Sequence, residues 1–148
     1  MKTKALQTRN IIFWVLVVFF AALVAGMGMA NRWRFWGHKL PLWGLAIIGI
    51  AFCGLAVVLV VLTVKLKEPL IRRIFFLLTG ASAAAIPIFA ILHNVVYGLF
   101  FHGKDGDEAV FFILAVLVCP ALFIIGVLGS LVLLISARLR KKNLGGLI

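Results

Sequence analysis

The residues most able to do chemistry stand close together in the second half of the chain. His93, Asn94 and Tyr97 fall within five positions, and His102, Asp105, Asp107 and Glu108 follow closely. On a helix, His93 and Tyr97 share a face at a spacing of four, and Asn94 lies three before Tyr97. These residue types admit three chemistries. An imidazole beside a carboxylate makes a hydrogen-bonded clasp between two helices, for example His93 to Glu108, and polar groups at membrane depth require such partners. An imidazole that titrates near neutral pH can pass protons or hold a substrate. Imidazole and carboxylate also ligate metals. No H-x-x-x-H or H-E-x-x-H pattern accompanies them, so no metal ligand is assigned. His38 is a further candidate to approach from an earlier loop.

The elements that must position this cluster are apolar runs. Of 148 residues, 65% are hydrophobic and 13% charged, against roughly 25% charged in soluble domains. A soluble domain of this length has too much surface to hide so many apolar side chains, so lipid is the expected solvent. Four runs each provide the roughly 20 residues of a spanning helix. They cover about 11–30, 40–64, 74–101 and 110–135, and none contains Asp, Glu, Lys or Arg. Strand-like alternation is missing, and backbone groups in lipid must pair within each helix. The expected fold is all-α: one domain over 1–148, an integral membrane four-helix antiparallel bundle. At about 1.5 Å per residue, His93 lies about 28 Å from Ile74, close to the far edge of a hydrocarbon core about 30 Å thick. Asn94 and Tyr97 share that depth. Asp107 is expected to cap the fourth helix, with Glu108 in its first turn, where the helix dipole favours acids.

Orientation follows the cations. Lys2, Lys4 and Arg9 precede the first run; Lys65, Lys67, Arg72 and Arg73 lie between the second and third; Arg138, Arg140, Lys141 and Lys142 follow the fourth. The other two connections hold only Arg32, Arg34, Lys39 and Lys104. The richer side is expected in the cytoplasm, with both termini. The expected location is a plasma membrane, crossed several times. The formal net charge of +11 therefore reflects membrane orientation, and no nucleic-acid partner is assigned. Met1 to Asn10 is basic and small residues end at Ala30, as in a signal peptide, but the apolar stretch outruns the roughly 7–15 residues of a signal core. Cleavage there would leave three spans and move the N-terminus outside.

Arg32, Trp33, Arg34, Trp36 and Trp43 have the composition of an interfacial anchor, in which Trp sits at headgroup depth and Arg snorkels. A site for anionic lipid headgroups is the sharper alternative. Arg138, Arg140, Lys141 and Lys142 form a cytoplasmic basic cluster of the same kind. Small residues mark the expected packing seams: Ala22 and Gly26, Gly49 with Cys53 and Gly54, Gly80 with Ala81, Ala84 and Ala85, and Gly126 with Ser130. Pro87 and Pro120 free the carbonyls of Ala83 and Val116 and are expected to kink their helices, with Ser82 as a local donor. Cys53 and Cys119 lie in apolar runs with no C-x-x-C, which points to buried small side chains and away from redox chemistry.

From His93 to Gly129 the order is His-Asn, Tyr97, an acidic turn, Phe111-Phe112, Pro120, then Gly126 and Gly129. This resembles a group of small four-span prokaryotic membrane proteins of unknown function. The resemblance covers about the C-terminal half; it implies the same fold and supplies no activity. The first run carries no carboxylate, as a small multidrug exporter would need.

The expected function is a non-enzymatic membrane protein, a structural or accessory subunit packing against itself or a larger membrane partner, with no cofactor. The rival is a small transporter or channel with a polar site around His93 and Glu108. A lipid-acting enzyme is the third reading; Ser82, Ser130 and Ser136 have no base at nucleophile spacing.

Overall fold

The computed structural model describes residues 2–28, 42–101 and 108–145. The described chain is helical, with no strand. Helix α1 spans Lys2–Gly28, α2 Leu42–Lys65 and α3 Leu70–Val96, which continues into a π-helical turn at Tyr97–Phe101. A short α4, Ala109–Ile113, runs through a second π-helical turn, Leu114–Val118, into α5, Cys119–Gly145. Four stretches are long and apolar enough to cross a membrane: Lys4–Ala25, Ile47–Lys65, Leu70–Phe101 and Ala109–Ala137. The first and third helices begin earlier than the apolar runs alone suggest. Polar side chains near a helix end cost little when they reach the interface, so the hydrogen-bonded spiral outlasts the apolar run.

The core is built from facing aromatic residues. Positions 9, 13, 16 and 20 of α1 recur at helical spacing, which places them on one face. Phe13 and Leu16 are fully buried there, with Phe52, Ala56 and Leu59 of α2, Phe76 and Ala83 of α3, and Phe123 and Val127 of α5. Phe13 meets Phe76 edge-on at 5.0 Å, and Phe20 meets Phe123 at 4.3 Å. Outward positions such as Val18, Ile50 and Val132 are apolar and exposed, the inverse of a soluble surface.

Helix α3 is central, packed against α2 on one side and α5 on the other. Glycines allow both approaches. A methyl at Gly80 would come within 2.7 Å of the Val60 side chain, and one at Gly126 within 2.6 Å of Thr79 Oγ1. One at Gly129 would enter the ring of Phe75. Ser130 is buried beside them in sequence, so the expected seam on the fourth span is present. Other expected seams differ. Gly49 and Gly54 face open space, and Ala22 and Ala81 are exposed. Small residues fit a seam only on the face that meets a neighbour, and spacing alone does not choose that face.

The two prolines differ in their helical surroundings. Helix α3 passes through Pro87 without interruption, and Ser82 Oγ donates to the carbonyls of Leu78 at 2.6 Å and Thr79 at 3.2 Å, not to Ala83. Before Pro120 the helix widens, with the Cys119 N–H bonded to the Leu114 carbonyl five residues back. The proline ring crowds the carbonyl four residues before it, and a π turn relieves that crowding.

Candidate functional site

Two polar clusters lie at opposite ends of the bundle. The first joins the third and fourth spans. His93 stands in the last turn of α3, and Glu108 is the N-cap of α4. His93 Nδ1 lies 2.8 Å from the Glu108 carbonyl oxygen and 3.0 Å from its Oε2. The carbonyl can only accept, so Nδ1 carries the hydrogen. Glu108 Oε1 accepts from the Phe111 N–H at 2.9 Å. One carboxylate therefore caps a helix and holds the histidine of its neighbour. Burial pushes the Glu108 carboxyl up, but the hydrogen bonds from Phe111, His93 and Val110, with the charge of His93, outweigh burial and hold it below its ordinary range.

The expected cap at Asp107 is thus replaced by Glu108, whose longer side chain bends back to the N–H three residues ahead. The structure brings His93 and Glu108 together and sets the Tyr97 ring 6.4 Å from the His93 ring, with Phe112 at 5.4 Å. Asn94 does not join them; its amide donates to the Ala90 carbonyl of its own helix at 2.7 Å. His38, His102, Asp105 and Asp107 lie outside the described residues, as do Arg32, Trp33, Arg34 and Trp36. Trp43 falls on the first turn of α2, and Arg138, Arg140, Lys141 and Lys142 on the last turns of α5. Among the described residues, no three His, Cys, Asp or Glu side chains gather as a metal site.

The second cluster is absent from the sequence expectations. Arg9 is 1% exposed, on the core face of α1. Its Nη1 pairs with the carboxylate of Glu68, in the connection between α2 and α3. Arg72 Nη1 reaches the other oxygen of Glu68 at 3.4 Å. The Arg9 guanidinium also stacks 4.0 Å from the centroid of the Phe76 ring, and its Nη2 donates to Asn10 Oδ1 at 2.9 Å. Glu68 is held by its short connection: its N–H donates to the Leu66 carbonyl, and Pro69 is the N-cap of α3. A signal for this pair existed. Arg9 continues the 13, 16, 20 core face, and Glu68 is the lone acid among many cations at that end.

Between the two clusters the polar groups are small. Thr63 and Thr79 donate to the carbonyls of Leu59 and Phe75 in their own helices. Among the described residues, Ser130 Oγ is buried without a protein partner, as are the Nε atoms of Arg9 and Arg73. An apolar groove of about 570 Å³ opens between α1 and α2, lined by Trp14, Val18, Phe19, Ala22, Ala51 and Leu55, among others.

Comparison with protein-family models, curated proteins and solved structures finds no match for this chain.

Proposed function

We propose that this chain is a non-enzymatic multi-pass protein of a plasma membrane, an accessory subunit that packs against itself or a larger membrane partner. Its four spans run antiparallel, with both termini in the cytoplasm. The observation that carries this reading is the content of the bundle interior. Phenylalanines fill it, and the hydroxyls of Thr63, Thr79 and Ser82 are donated to carbonyls of their own helices. Transport sites place polar groups at mid-depth, where substrates pass. Contacts of Phe75 with Gly129 and of His93 with Glu108 support the antiparallel order. The cation distribution supports the orientation.

Purification of the full chain in a mild detergent tests the role. A stoichiometric partner or a defined homo-oligomer is expected; a monomer that co-purifies with no protein would overturn it. For the topology, a cysteine placed at Lys67 should resist an impermeant thiol reagent added outside cells, and one at Gly106 should react.

The contact of His93 with Glu108 favours a second reading, a proton-linked transporter gated on the outer side. In liposomes its flux would depend on pH, and His93→Ala would abolish that dependence. Equal flux in the two proteins would end it.

A further inference from the structure

The groove between α1 and α2 has a position and a charge pattern that identify an occupant. The contact of Arg9 with Glu68 sets the start of α1 beside the end of α2. Measured from Ile11, where the uncharged run begins, Trp14 lies about 4.5 Å and Ala22 about 16.5 Å along the helix axis. Measured from Val64, Leu55 lies about 13.5 Å and Ala51 about 19.5 Å along α2. The groove therefore covers the depth of one leaflet, half of a hydrocarbon core about 30 Å thick. Ala22 and Ala51 keep it open because their side chains are small, and what enters at this depth is hydrocarbon.

The faces that form its walls continue to cations. Lys4, Ile11, Val15, Val18 and Ala22 are all exposed and recur at helical spacing on α1. On α2, Ala51 of the groove wall also shares an exposed helical row with Gly54, Val58, Val61 and Lys65, which runs beside the groove. Lys4 and Lys65 thus lie at the adjoining ends of the two helices that wall the groove. Glu68, the acid at this end, is engaged by Arg9 and Arg72 and does not neutralise them.

We propose that this groove seats an anionic phospholipid, one acyl chain lying between α1 and α2 and the phosphate held by Lys65 and Lys4. The proposal takes its bilayer placement from the reading above but is independent of any protein partner.

The test uses the full chain in phosphatidylcholine vesicles with a trace of lipid spin-labelled midway along one chain. Phosphatidylglycerol should be motionally restricted in preference to phosphatidylcholine, by about fivefold per lysine at low salt. Lys4→Gln with Lys65→Gln should equalise the two lipids. Ala22→Trp, on the exposed face, should fill the groove and abolish the preference for phosphatidylglycerol while the helix content stays unchanged. Equal retention of both lipids by the wild type, or an Ala22→Trp protein that still prefers phosphatidylglycerol, would overturn the proposal. So would loss of cross-linking between two copies in Ala22→Trp, which would assign the groove to a second chain. A missing protein partner would leave these results unchanged, so the two readings fail separately.

Discussion

Arg9 of α1 is fastened to Glu68 between α2 and α3, with its guanidinium stacked on Phe76 and almost no exposure to the surroundings. Buried ion pairs gain little over apolar packing, but removing one partner leaves a charge without compensation. Glu68→Ala strips both Arg9 and Arg72. It should destabilise the bundle by about 3–5 kcal/mol. Arg9→Met leaves Glu68 with Arg72 and keeps apolar contact with Phe76, so it should cost clearly less. Thermal or denaturant unfolding in detergent reads both; equal losses would show that Arg72 gives Glu68 no support.

The glycines divide by what they face. Gly126→Ala forces a methyl against Thr79 and should cost about 1–3 kcal/mol by overpacking. Gly49 faces open space, so Gly49→Ala should be neutral or stabilise by up to about 1 kcal/mol through helix propensity. Melting temperatures of the two variants should move in opposite directions or differ in size; similar losses would mean that α2 packs on another face.

Ser130 buries a hydroxyl that has no acceptor among the described residues. Replacing it by Ala removes an unsatisfied polar group of nearly the same volume. Ser130→Ala should raise stability by about 1 kcal/mol, the lower end of the cost of an unmade hydrogen bond. A clear destabilisation would mean that the hydroxyl has a partner in the membrane.

His93 and Glu108 should couple. Each change to Ala should destabilise the junction of the third and fourth spans, and the double variant should cost less than the two together. Strict additivity in unfolding measurements would show that the side chains act apart.

The carboxyl of Glu108 also sets a pH dependence. Its folded value lies below the ordinary range, so its contribution is complete above an unfolded value of about 4.3 and is lost as pH falls through the folded value. Stability of the wild type relative to Glu108→Gln should therefore decline as the pH falls into the acid range. A difference that grows toward acid pH would reverse the assignment.

The four spans were legible because hydrocarbon tolerates no unpaired backbone and few charges, so length and apolarity suffice to mark them. Contact between His93 and Glu108 was also within reach, since a short connection brings the end of one span to the start of the next. The cap was misplaced by one residue, because backbone angles at Glu108 decide which acid bends toward Phe111. Arg9 was harder. As one of several cations before an apolar run it reads as an orientation signal, and only its helical phase places it inward. Thus the sequence by itself determined four lipid-soluble helices and the end of the bundle where the cations gather. Tertiary structure alone decided which glycines are seams, which arginine is buried and where a groove remains open, because those depend on how each helix is rotated about its axis toward its neighbours. In lipid, where both faces of a helix are apolar, hydrophobic pattern does not fix that rotation.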